Sequence, residues 1–131
     1  MYMLDTDTCS YVLKTKSAKL AKRFETETGK IAVSEIVLAE LRFGADKHQN
    51  RTQEIHESIN DFVLRLDVVP WAASSAYGEL RAQLERSGTP IGNLDTLILI
   101  AAHALHHECV LVTNNVKHFK HVPKLIIDNW I

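Results

Sequence analysis

The chain has 131 residues, 46% hydrophobic and 24% charged, with only five Gly and three Pro, which excludes a disordered, low-complexity or collagen-like chain and predicts one globular domain over 1–131. Fifteen Lys and Arg against sixteen Asp and Glu leave a net charge of −1. That argues against a protein that coats nucleic acid through bulk positive charge, but not against a nucleic-acid enzyme whose charges are unevenly placed.

Cys9 and Cys109 stand far apart in a chain without a signal-peptide pattern, and the longest apolar run, from Leu97 to Ala102, is far short of the roughly 18 residues of a membrane span. The expectation is a cytoplasmic protein with reduced thiols and no membrane partner.

Short apolar runs alternate with amphipathic stretches along the chain. Tyr2-Met3-Leu4, ending at Asp5, reads as a first buried strand, and Ser17 caps a basic helix through Phe24. Ile31-Ala32-Val33, preceded by Gly29 and ending at Ser34, reads as a second strand. Ser34 then caps a helix to about Phe43, with Gly44 as its stop signal. Residues 50–65 read as helix and Val68-Val69 as a strand. Ala73, Ala76, Tyr77, Leu80 and Leu84 recur at helical spacing before Gly88 and Pro90. A last, apolar helix starts near Asp95, followed by a strand at Val110-Leu111-Val112 and a fifth at Leu125-Ile126-Ile127. The alternation predicts an α/β fold of three layers, a parallel sheet flanked by helices, with its ligand site at the carboxyl ends of the strands.

That rule converges on a few polar residues. Asp5 ends the first strand, Glu40 rides the helix after the second, Asp95 opens the apolar helix, and Asn115 follows Thr113 at the end of a late strand. Each alone is as readily structural, Asp5 and Asp95 as helix caps and Glu40 as a solvated helix residue. Together they form a carboxylate cluster suited to a hard divalent cation such as Mg²⁺, which would activate water and stabilise a leaving alkoxide in phosphodiester hydrolysis.

Several segments carry a resemblance. Leu4-Asp5-Thr6, Ala39-Glu40-Leu41-Arg42-Phe43-Gly44, Tyr77-Gly78-Glu79-Leu80-Arg81, Gly88-Thr89-Pro90-Ile91-Gly92, Ala101-Ala102-His103-Ala104, Val112-Thr113-Asn114-Asn115 with Phe119, and the ending Asp128-Asn129-Trp130 resemble, in order, the PIN-domain ribonucleases, specifically VapC-like toxins of type II toxin–antitoxin pairs. The resemblance implies an endoribonuclease acting on structured RNA such as tRNA, neutralised by a cognate VapB-like antitoxin, and a homodimer. It assigns Asp5, Glu40 and Asp95 as the acidic triad, with Asn115 at a fourth position. Asp5 and Asp95 would hold Mg²⁺, with Mn²⁺ as a substitute, and Thr6 and Thr113 would support them. Two departures stand out. Asp7 replaces the family's usual Asn, and the stretch from Asp95 to His103 is two residues longer than the family pattern. Two helical residues are about 200° of rotation, so Asp95 keeps its place only if the extra residues are absorbed at the helix start, which is the expectation because Gly92-Asn93 just before it is a loop signal and Asp suits a first helical turn. Leu97, which falls at the family's acidic position when counted back from His103, cannot bind a metal. A misplaced Asp95 would leave a catalytically impaired protein that only binds RNA or antitoxin.

Other readings compete. Leu4-Asp5-Thr6-Asp7-Thr8 also resembles the first motif of haloacid-dehalogenase-like phosphohydrolases, in which Asp5 would be the nucleophile and Asp7 the acid–base, but the later acidic pair of that chemistry is missing. His103, His106 and His107 lack the glutamate of a zinc-protease motif. His103 is expected to be partly buried with a hydrogen bond, His106 and His107 to lie on the surface, and Cys9 to be a buried thiol. Val37, Leu38, Leu41 and Phe62 serve either as core or as partner-binding surface.

Positive charge is clustered. Lys14, Lys16, Lys19, Lys22 and Arg23 form a run without an acid, and Lys117, His118, Lys120, His121 and Lys124 follow the Thr113-Asn114-Asn115 turn. Either run is a solvated face or a set of RNA phosphate contacts, to which Arg42, Arg81 and Arg86 would add. Near-neutrality is then the sum of an acidic site and basic flanks, and RNA binding should depend on both divalent metal and ionic strength.

Overall fold

A computed structural model of the chain describes residues 1–88 and 95–131, the side chains at 95, 96 and 98 apart. Its elements in chain order are β1 (Tyr2–Leu4), α1 (Thr6–Leu13), α2 (Ala18–Thr26), β2 (Ile31–Ser34), α3 (Glu35–Asp46), α4 (Thr52–Val63), β3 (Asp67–Val69), α5 (Ser74–Arg86), α6 (Asp95–His106), β4 (Val110–Val112), α7 (Val116–Phe119) and β5 (Ile127–Asp128). All five strands run parallel in one sheet of order β3-β2-β1-β4-β5. The expected three-layer α/β arrangement is therefore observed.

Polar caps set where strands hand over to helices. Asp5 accepts a hydrogen bond from the Thr8 N–H to start α1, Ser17 caps α2 through the Leu20 N–H, and Ser34 caps α3 through the Ile36 N–H. Asp5 and Ser34 are both buried, so each cap fixes a helix to the end of an interior strand. The segment Met3-Leu4 of β1 and all of β2 are buried, as are Leu111 and Val112 of β4, which is why the short strands read as continuous apolar runs. Gly29, at φ +91°, turns the chain into β2.

Two expectations need correction. Gly44 does not stop α3, which continues to Asp46 because the buried stripe Val37, Leu41, Ala45 reaches past it. The fifth strand is Ile127–Asp128, shifted toward the C-terminus, and Ile126 is exposed. Helices α1 and α7 lack a periodic apolar signal of useful length. Val37, Leu41 and Phe62 are core, while Leu38 packs against the core from a partly exposed position. The expectations that rested on Pro90 and on Gly92-Asn93 lie outside the described residues.

His103 also differs from expectation. It is fully buried in α6, and neither ring nitrogen is in hydrogen-bonding geometry with a partner among the described residues. Its ring packs edge-on to Trp71 at 5.4 Å and against His107 at 5.0 Å. Burial, and then the neighbouring His107, push its pKa below the usual histidine value, opposed by the nearby Pro70 carbonyl. The folded state therefore binds its proton more weakly than the unfolded state, and stability is lost as pH falls below the unfolded value of 6.5. Urea midpoints measured from pH 7.5 down to 5.5 should fall, and the fall should be smaller in His103→Leu; equal slopes in both proteins would show that His103 does not titrate on unfolding.

Candidate active site

Strand order places the site before any side chain is considered. In an open parallel sheet the ligand crevice lies at the carboxyl ends, where neighbouring connections depart to opposite sides. Here that point lies between β1 and β4, which pair directly. The chain leaves β1 through Asp5 and β4 through Thr113.

The carboxylate of Asp5 is 2% exposed and ties the two strand ends together. Its Oδ1 accepts the Thr8 N–H at 2.8 Å, and its Oδ2 accepts the Thr113 hydroxyl at 2.5 Å. Thr113, itself fully buried, receives the Asn115 N–H on the same oxygen at 2.9 Å. Burial raises the Asp5 pKa above its ordinary value. The hydrogen bonds from Thr113 and Thr8 act against that rise, and the charge of Asp7 adds to it. Among the described residues Asp5 has no ion-pair partner.

Glu40 is brought to the same end of the sheet through Thr6, whose hydroxyl donates to Glu40 Oε1 at 2.8 Å. Glu40 is half-buried. Asp7 is exposed and accepts the side-chain N–H of Asn115 at 3.1 Å. Of the sequence-predicted residues, Asp5, Thr113 and Asn115 are thus joined by hydrogen bonds across β1 and the turn after β4, and Glu40 of α3 is tied to Thr6, the residue next to Asp5 in the chain. Asp95 is the first residue of α6. Every residue from it to His103 is helical, so the two extra residues are not taken up ahead of the helix as expected but belong to α6 itself, and Asp95 stands at its first position; the Asp95 side chain lies outside the described residues.

Thr8 and Asn129 carry parts of the network that the sequence reading did not assign. Thr8 holds Asp5 with its N–H and reaches the Val112 carbonyl with its hydroxyl at 3.2 Å. An Asp followed three positions later by Thr, at the start of a helix, is the capping signal that identifies it. Asn129 donates its side-chain N–H to Asn114 Oδ1 at 3.2 Å, and its signal was the Asp128-Asn129-Trp130 ending. Cys9 is buried, and burial and the nearby Asp5 keep its thiol protonated.

The donors assembled here fit a hard divalent cation. They are oxygens, and a buried carboxylate without a cationic neighbour is otherwise a standing electrostatic penalty. Asp5 and Glu40 supply two carboxylates. Among the described residues no three His, Cys, Asp or Glu side chains converge, so a complete triad requires Asp95.

The basic run is divided between two faces. Lys14 and Lys16 line a cleft of about 780 Å³ between α1, α3 and α4, together with Leu13, Phe43, Lys47, Arg51 and Ile55, and Thr6 and Glu40 stand in the wall of this cleft. Lys19 and Lys22 face a separate groove beside the C-terminal residues. Arg23 is engaged by Glu27 at 3.1 Å and Asp128 at 3.4 Å and lies over the Trp130 ring. Arg42 is spent on the His56 carbonyl and Asn60, tying α3 to α4. Arg81 donates to the Tyr77 hydroxyl at 2.7 Å and pairs with Glu85.

Comparison with known proteins supports one family. The chain matches the PIN domain family over residues 2–125. It is 40% identical to Ribonuclease VapC2 of Rickettsia felis, over 99% of this chain and 98% of that protein. It is 37% identical to a tRNA(fMet)-specific endonuclease VapC of Shigella flexneri, over 98% and 97% respectively. Among solved structures, VapBC2 of Rickettsia felis bound to a DNA fragment from its promoter superimposes with a TM-score of 0.90 at 38% identity, covering 99% of this chain and 98% of that one.

Because Asp5 is neutral more readily in the fold than in the unfolded chain, its ionisation destabilises the metal-free protein as pH rises through the folded value, and the effect vanishes below about pH 4. Asn caps a helix as well as Asp does. Asp5→Asn should therefore stabilise the metal-free protein by about 1–2 kcal/mol at neutral pH and show no such gain at pH 4. Added divalent metal should stabilise the parent and leave the variant unchanged; a destabilised variant in chelator at neutral pH would contradict the buried-charge account.

Proposed function

Because the chain belongs to the PIN-domain family and is a ribonuclease of its VapC group, we propose that it is the toxin of a type II toxin–antitoxin pair, a Mg²⁺-dependent endoribonuclease that hydrolyses phosphodiester bonds in structured RNA of the tRNA class. The enzyme is divalent-metal dependent, as PIN-domain nucleases are; Mg²⁺, with Mn²⁺ as substitute, is the specific ion proposed. The observation that carries the reading is the buried carboxylate of Asp5 at the β1–β4 switch point, held by Thr8 and Thr113 and lacking a cationic partner among the described residues.

In this reading Asp5, Glu40, Asp95 and Asn115 form the catalytic site of one domain spanning 1–131, with Asp5 and Asp95 as metal ligands. A divalent cation held there would, when bound, polarise the scissile phosphate and lower the pKa of the attacking water. Thr113 and Thr8 fix the Asp5 side chain in one orientation, so that little reorganisation accompanies binding. Thr6 holds Oε1 of Glu40 and leaves Oε2 without a hydrogen-bond partner among the described residues, able to accept the proton that leaves the water. Asn115, anchored through its backbone to Thr113 and through its side chain to Asp7, closes the site on the β4 side. Asp7 keeps a negative charge at the rim that the family's usual Asn lacks.

The cleft between α1, α3 and α4 supports an antitoxin as partner. Its apolar floor and cationic rim suit an amphipathic acidic segment, and a segment seated there would lie against Glu40. Phe43, 66% exposed at this cleft, is the side chain most in need of such cover. Homodimerisation is proposed with it. The phosphohydrolase alternative has no support from the full-length matches, which are to ribonucleases.

The purified chain, freed of antitoxin, should cleave a tRNA pool in Mg²⁺ or Mn²⁺ and lose cleavage in chelator. Glu40→Gln should lower the rate about 10²–10⁴-fold, and Asp5→Asn and Asp95→Asn should each abolish it. Cleavage unaffected by Asp5→Asn would remove the site. Cleavage lost with Asp5→Asn but retained with Asp95→Asn would remove only the helix acid. Absence of cleavage in the parent, with RNA or antitoxin binding intact, would establish the binding-only alternative.

A further inference from the structure

Lys19 and Lys22 are one helical turn apart on α2 and point to the same side. Both are exposed, and neither has an ion-pair partner among the described residues. They line a groove of about 330 Å³ with Arg23, Thr26, Asn129 and Trp130, and no carboxylate belongs to that lining. Glu27 and Asp128, the acids that flank Arg23, are both held by it, and Glu25, one turn from Lys22 on α2, is not part of the lining. Arg23 in turn lies 4.9 Å from the Trp130 ring centre and 5.7 Å from that of Tyr2. Arg23 is therefore the fixed wall of the groove, and the two lysines are its available charge.

One residue joins this groove to the carboxylate site. Asn129 lines the groove and donates its side-chain N–H to Asn114, which sits between Thr113 and Asn115 in the turn after β4. The same tail is pinned to that turn by the Thr113 N–H to Asp128 carbonyl bond at 2.9 Å.

We infer that the groove between α2 and the residues after β5 is a second RNA contact, a seat for backbone phosphates of a substrate whose scissile bond lies at the Asp5 site. This rests on the ribonuclease reading and adds to it a place for the rest of the substrate. Its chemistry selects polyanionic backbone over an acidic protein segment. Trp130 is only 1% exposed and no large exposed apolar side chain lines the groove, whereas the α1, α3, α4 cleft offers the apolar floor that a protein segment needs. Phosphate contacts position a strand without reading its sequence, so the groove contributes affinity, and base selection is made elsewhere.

The experiment measures binding of a labelled tRNA pool, in chelator so that nothing is cleaved, by the full chain, Lys19→Ala/Lys22→Ala and Lys19→Glu/Lys22→Glu. Salt is varied from about 50 to about 200 mM. Two lost phosphate contacts should reduce the slope of log affinity against log salt by about 1.4–1.8. Binding should weaken about tenfold or more for the alanine pair at the lower salt and further for the glutamate pair. In Mg²⁺ the loss in kcat/KM should be carried by KM. Thermal melts matching the parent show that these exposed substitutions leave the fold intact.

Parental slope and affinity in both variants would overturn the inference even if the chain cleaves RNA. Parental RNA binding with weakened capture of the cognate antitoxin would also overturn it, assigning the groove to protein. Loss of slope in a chain that cleaves nothing would uphold the groove and bring down the ribonuclease reading instead.

Discussion

A single buried negative charge organises this molecule. Asp5 terminates the central strand, begins the first helix, and receives a hydroxyl from the end of the neighbouring strand. Removing a carboxylate from water is unfavourable, and two neutral hydrogen-bond donors, the Thr8 N–H and the Thr113 hydroxyl, offset that only in part. The residual imbalance is what a cation bound there would relieve. The fold thus holds an anion under tension where two strand ends diverge, and the polar residues nearby, Thr8, Thr113 and Asn115, are arranged to fix its position without neutralising it.

The rest of the charge distribution follows from keeping that anion unneutralised. Basic residues near enough to pair with Asp5 would compete with a metal, and the arginines closest in sequence to the site motifs are occupied elsewhere: Arg42 by α4, Arg23 by Glu27 and Asp128, Arg81 by Tyr77 and Glu85. The exposed lysines lie to either side, some over an apolar cleft and some over a polar groove. Local fields of opposite sign sit side by side, and the near-zero net charge conceals both.

Much of this was legible in the sequence because the strands are buried on both faces. Tyr2 to Leu4, Ile31 to Val33 and Val110 to Val112 have no polar alternation to confuse with helix, and the acid or hydroxyl after each is the residue that caps or bonds at the strand end. What was not legible depended on tertiary context. Gly44 is a stop signal only where the helix has nothing further to bury, and Ala45 does. His103 needs a hydrogen bond in most interiors, yet here it is surrounded by Trp71 and His107. The run from Lys14 to Arg23 is continuous in sequence, but the turn between α1 and α2 sends its two ends to different faces and leaves Arg23 as a structural clamp. Asn129 gained its place only because β5 lies beside β4.

The ties that make the site are long in sequence. Thr6 and Glu40 are 34 residues apart, and Asp5 with Thr113 and Asp7 with Asn115 are each separated by 108. Emerging from a ribosome at about 5–20 residues per second, the first of these partners waits roughly 5–20 s for the last. In that interval β1 has β2 to pair with and nothing on its other edge, and Asp5 has its helix cap but no hydroxyl from β4. A stalled or truncated chain would carry Asp5 and Glu40 without the Thr113 hydroxyl and the Asn115 turn, so this constellation is completed only once β4 has been made.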